Sequence, residues 1–73
     1  MFKTEIEYKK NTLFVYVEGV ADKEDINRLK QKIYHIMNDY GITELKLNLK
    51  NARNVDIGMF EEFFTAYDLY KTN

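Results

Sequence analysis

The hydrophobic period of this chain switches from two to about 3.6 residues and back to two, and that double switch restricts the fold more than any other feature. From Phe2 to Lys9, Phe2, Thr4, Ile6 and Tyr8 alternate with Lys3, Glu5, Glu7 and Lys9, the pattern of a strand with one wet face. Lys10-Asn11 supplies a polar turn in which Asn tolerates positive φ, and Thr12 to Glu18 then runs β-branched and aromatic, so the two segments pair as a hairpin. Gly19-Val20-Ala21 interrupts the pattern before Asp22, placed as the N-cap of a helix. Along that helix Ile26, Leu29, Ile33, Ile36, Met37 and Tyr40 recur at helical spacing, with Lys23, Glu24, Lys30, Lys32 and Asp39 elsewhere. Gly41 is suited to the left-handed residue that ends it. From Ile42 to Lys50 the period returns to two: Leu45, Leu47 and Leu49 share one face, and Lys46, Asn48 and Lys50 the other.

After the polar connector Asn51 to Val55, Asp56 has the aspect of a second N-cap, and Met59, Phe60, Phe63, Phe64, Tyr67 and Tyr70 recur at helical spacing. The pattern predicts a small α/β (α+β) domain of order β-β-α-β-α over residues 1–73: a three-stranded mixed sheet with two helices on one face. A strand-helix-strand crossover makes the second and third strands parallel. Phe14 and Tyr16 then lie on the opposite face among Glu18, Lys46, Asn48 and Lys50. The third strand, with none after it, is expected to leave an open edge that Lys46 and Lys50 shield in part.

Composition narrows the function classes. There is no Cys and a single His, His35, so a disulfide framework and a thiolate or polyhistidine metal site are excluded. Eleven Lys+Arg against 12 Asp+Glu, interleaved, provide no basic stripe for phosphate backbones, and nucleic acid is not an expected partner. No apolar run approaches the roughly 20 residues of a membrane span and no basic-then-apolar leader opens the sequence, so a cytoplasmic protein is expected, without membrane partners. Ser is absent, and with it the commonest hydroxyl nucleophile. His35 lies off the apolar stripe with no nucleophile near it, and the Thr residues have no glycine-rich or basic context. Asp22 and Asp56, if both cap helices, are already bonded to backbone donors, which makes them poor general bases. No catalytic residue, cofactor or metal site is expected. A domain this small, without disulfide or metal, is expected to gain stability by self-association or from a protein partner.

At Gly41 to Asp56 the sequence supports a comparison. Ile42-Thr43-Glu44-Leu45-Lys46-Leu47-Asn48-Leu49-Lys50-Asn51-Ala52-Arg53-Asn54-Val55-Asp56 resembles the strand of STAS domains that runs through L-N-L to an Asp opening the next helix. Leu13 to Asp22 is similar to the strand of that family ending in a G-x-L-D turn, with Ala21 in place of the Leu. The resemblance covers the N-terminal two-thirds or so of such a domain, and implies either a minimal or degenerate relative or a truncated one. It implies an anti-sigma factor antagonist-like role: a non-enzymatic protein that docks onto a regulator, often a serine kinase, and is switched off by phosphorylation of a hydroxyl in a D-S-S-G or D-S-T-G loop. Here the loop reads Asp56-Ile57-Gly58-Met59, so that serine phosphoswitch is lost.

The loop ends after the two parallel strands meet at one edge of the sheet, where ligands of open α/β sheets sit. The expected partner-binding residues are therefore Gly19, Asp22, Asp56, Ile57, Gly58, Met59 and Phe60. The C-terminal stripe, Phe63, Phe64, Tyr67, Leu69 and Tyr70, is wider than one sheet face requires and is expected to form an oligomer interface. Two function classes follow. One is a STAS-like regulator of an anti-sigma or kinase-like signalling partner. The other is a small homodimeric structural or inhibitory protein of antitoxin or phage type.

Overall fold

The computed structural model describes residues 2–63 and 68–72, the latter by their backbone. Five of its elements are β1 (Phe2–Lys9), β2 (Thr12–Val20), α1 (Lys23–Tyr40), β3 (Glu44–Arg53) and β4 (Asp68–Thr72), with a 3-10 turn at Ile57–Phe60. The strands form one mixed sheet in the order β1-β2-β3-β4. β1 and β2 run antiparallel, whereas β2 with β3 and β3 with β4 run parallel.

Local chemistry accounts for the junctions. Lys10 and Asn11 both adopt positive φ, 51° and 63°, as a two-residue type I′ hairpin turn requires. At the start of α1 the Asp25 backbone N–H donates to the Asp22 carboxylate at 2.8 Å, and the Asp22 N–H donates to the Asp25 carboxylate at 3.1 Å. This reciprocal capping box satisfies two donors that the helix leaves free. At the other end Gly41 takes φ 62°, and the Met37 carbonyl accepts from the N–H groups of both Gly41 and Ile42. A left-handed residue there lets the last carbonyls find partners.

α1 lays Ile26, Leu29, Ile33 and Met37 over Leu13, Val15 and Val17 of β2 and Leu45, Leu47 and Leu49 of β3. The helical period and the strand period meet in this one layer, and burial of apolar area there is the main stabilising term. Ile36 packs at its margin. Tyr40 fits the stripe by spacing but is 71% exposed, because it closes the helix one residue before Gly41. Among the described residues no helix is long and apolar enough to cross a membrane.

The C-terminal half departs from the sequence pattern. The expected second helix, and with it the layout of three strands beneath two helices, is not what forms. Among the described residues α1 is the one α-helix in the element order; Ile57–Phe60 is a single 3-10 turn, Phe63 is the one described residue beyond it that is helical, and Asp68–Thr72 joins the sheet as β4. The order is β-β-α-β followed by that turn and a fourth strand. β3 is thus an interior strand, with β2 on one side and β4 on the other, and the edge expected to be open at β3 is filled by the chain itself. Asp56 is not an N-cap of the expected kind either: its side chain makes no cap bond, and its backbone carbonyl accepts from Met59 N–H at 3.1 Å.

Candidate partner-docking site

Because β2 and β3 are parallel neighbours, their C-terminal ends deliver two loops to one rim. Gly19 pairs with Ala52 and Val20 with Arg53; Gly19 takes φ 92° within this last stretch of β2, and Asn54, at φ 62°, turns the chain away directly after β3. The register reaches this rim by a slip: Tyr16 pairs with Asn48, but Glu18 pairs with Asn51. Leu49 and Lys50 thus oppose Val17 alone, a bulge that re-aims the end of β3.

Between the rim, the first turns of α1 and the 3-10 turn lies a cleft of about 320 Å³. Ala21 and Ile26 give it an apolar side; Asp22, Lys23, Asn27, Lys30, Asn54 and Met59 complete its lining. Lys30 also reaches Glu62 at 2.9 Å, an ion pair that ties α1 to the segment after the 3-10 turn. Met59, 37% exposed, stands at the cleft, and Val20, 44% exposed, lies on the same rim. The combination of exposed apolar groups with polar groups held on rigid elements suits protein contact. Among the described residues no group of His, Asp and Glu could hold a metal ion.

The residues expected to bind a partner divide into three sets. Asp22 and Met59 line the cleft. Gly19 lies in the last residues of β2, Asp56 on the loop after β3 and Gly58 in the 3-10 turn, Asp56 and Gly58 exposed; a Cβ added at Gly58 would sit 3.0 Å from the Asp56 Oδ1. Ile57 packs against the core and Phe60 is fully buried within it, so these two position the turn from beneath. Lys23, Asn27, Lys30 and Asn54 were not among the expected residues. The first three have a legible signal, since positions 23, 27 and 30 form an i, i+4, i+7 row beside the apolar stripe of α1.

Of the expected interface stripe, Phe63 is buried, stacking on Phe60 with ring centroids 6.3 Å apart and on Tyr34 at 6.5 Å. Leu69 and Tyr70 belong to β4, in register with Leu45 and Lys46, and Phe64 and Tyr67 lie outside the described residues. On the face of the sheet away from α1, Tyr16 is 39% exposed, while Phe14 is half-buried beneath the Lys46 ammonium, 5.5 Å from its ring centroid. His35 is exposed on α1.

No protein-family model matches the chain, and no curated protein does. A solved structure described as "Crystal Structure Analysis of Mglu" is similar, with a TM-score of 0.72 at 14% sequence identity. The match covers 94% of this chain and 19% of that one. The likeness is one of fold, to about a fifth of that protein's length.

Proposed function

We propose that this chain is a non-enzymatic, cytoplasmic protein–protein interaction module of STAS type, which binds an anti-sigma or similar signalling regulator through the rim at the ends of β2 and β3. The observation that carries the reading is the cleft where the β2–α1 turn, Asn54 and Met59 converge, at the carboxyl end of parallel strands. Two features support the STAS resemblance. Asn48, central to the L-N-L step, holds the bulge in β3 that aims the following loop, and Asp22 closes the strand-to-helix turn as a cap. With Ile57 packed against the core and Gly58 at the second hydroxyl position, control by serine phosphorylation is absent, and occupancy of the rim depends on the amount or state of the partner.

The test is affinity capture from the native host with the wild-type chain and with Met59→Asp, followed by identification of the captured proteins. Capture of a kinase-like anti-sigma regulator that Met59→Asp loses supports the proposal. Capture of a toxin or phage structural protein, or of a regulator that Met59→Asp retains, overturns it.

A further inference from the structure

β1 is an edge strand of the sheet formed by the described residues. Free edges in natural sheets are blunted by short strands, proline, bulges, charged side chains along the edge or charges turned toward the core side. β1 carries charge on its outer face alone, at Lys3, Glu5, Glu7 and Lys9, and has none of the other devices: it is eight residues long, the chain has no proline, and its register with β2 runs from Phe2↔Gly19 to Lys9↔Thr12 without a slip. Its core-side positions are Phe2, Thr4, Ile6 and Tyr8, opposite Gly19, Val17, Val15 and Leu13. None is charged.

The hairpin turn fixes which backbone groups face outward. A two-residue turn is closed by the i to i+3 bond between Lys9 and Thr12, so this pair is hydrogen-bonded and the pairs alternate from there. Glu7, Glu5 and Lys3 therefore spend their N–H and C=O groups on β2. Tyr8, Ile6, Thr4 and Phe2 direct theirs to the free edge, the same residues whose side chains lie on the core side. A groove of about 250 Å³ between β1 and α1, lined in part by Phe2, Thr4 and Leu29, leaves that side accessible beside the edge.

We propose that β1 pairs antiparallel with β1 of a second copy about a two-fold axis at Thr4, which joins the two sheets into one continuous sheet. The charged row on the other face selects this register. With Thr4 opposite its own copy, Lys3 faces the Glu5 of the other protomer twice over, and Phe2 faces Ile6 twice over. One step along, Lys3 opposes Glu7 twice over but Glu5 opposes Glu5; with Ile6 on the axis, Lys3 opposes Lys9 and Glu5 opposes Glu7, each twice over. Opposite charges across a strand pair stabilise and like charges destabilise. A register centred on Tyr8 also avoids like charges, but it ends at once because Lys10 turns away at φ 51°. Registers shifted by an odd number put the apolar side chains on the wrong face. The contact is independent of the rim cleft, and both can be occupied together.

The test is sedimentation of the intact chain across micromolar to near-millimolar concentration, with circular dichroism to show that each variant is folded. The wild type is expected to dimerise. Lys3→Glu and Glu5→Lys each place like charges in register and raise the dimer Kd by about tenfold or more, whereas an equimolar mixture of the two forms a heterodimer tighter than either homodimer. Thr4→Pro removes an outward N–H without touching a bond to β2, and gives a folded monomer. Met59→Asp leaves the dimer intact. A wild type that stays monomeric throughout overturns the proposal. So does a dimer with a Kd unchanged by both charge reversals, which moves the contact to another surface.

Discussion

The side-chain carbonyl of Asn48 accepts a hydrogen bond from the backbone N–H of Lys50 at 3.1 Å, at the step where β3 carries one residue more than β2. A bulge breaks the regular ladder, and here a side chain two residues upstream satisfies an N–H that the ladder leaves out. The polar residue between two buried leucines is thus the local device that lets β3 change course before it delivers Asn54 and Asp56 to the rim.

Removal of that acceptor is expected to lower stability by about 1 kcal/mol, the usual worth of a net intramolecular hydrogen bond. Asn48→Ala shows the loss in urea denaturation as a lower midpoint at unchanged slope. Asn48→Asp keeps an acceptor in place and stays close to the wild type.

The two bonds between Asp22 and Asp25 form one capping unit, so their effects should not add. Asp22→Ala and Asp25→Ala are each expected to cost about 1 kcal/mol, and the double variant less than the sum, since each single change already breaks part of the reciprocal pair. A double-mutant cycle by chemical denaturation measures the difference.

The strands β1, β2 and β3 and the helix α1 are legible in the sequence because local signals agree there: period, cap residue and turn residue all indicate the same element. Beyond Asp56 they disagree. Met59, Phe60, Phe63, Phe64, Tyr67 and Tyr70 keep helical spacing with no proline to break it, and spacing alone favours one long helix. Two effects outweigh it. Phe60 is drawn into the core at the end of a single 3-10 turn, with Phe63 buried beside it three residues on, and Asp68–Thr72 finds a strand partner in β3, a pairing set by tertiary contact that strand propensity only weakly foreshadows. The same disagreement hides part of the site, since the cleft needs Lys23, Asn27 and Lys30 of α1 to meet Asn54 and Met59 across the rim.

Asp22 and Asp56 have the same aspect in sequence but should part company in experiment. Asp56→Ala is expected to change stability by no more than about 0.5 kcal/mol, because no side-chain cap bond is lost and the residue is exposed. Its effect, on the rim reading, falls on partner capture. A loss of stability equal to that of Asp22→Ala in the same denaturation series would show that Asp56 caps the turn after all.

Met59 and Phe60 are chain neighbours on one 3-10 turn with opposite surroundings: Met59 is 37% exposed at the cleft, and Phe60 is fully buried against Phe63. Truncation of Phe60 removes a ring from the layer beneath α1 and leaves a cavity, which costs about 3–5 kcal/mol for a buried aromatic. A domain of 73 residues has little more than that in total from its core, so Phe60→Ala should be largely unfolded at room temperature by circular dichroism. Phe60→Leu keeps most of the apolar volume and should fold with a lowered melting temperature. Met59→Ala is expected to melt within a few degrees of the wild type, a shift that corresponds to about 0.5 kcal/mol, while it weakens partner binding at the rim. The two positions thus separate stability from docking on adjacent residues. If Met59→Ala destabilised the chain as much as Phe60→Leu, Met59 would be part of the core and the rim would lose its exposed apolar contact.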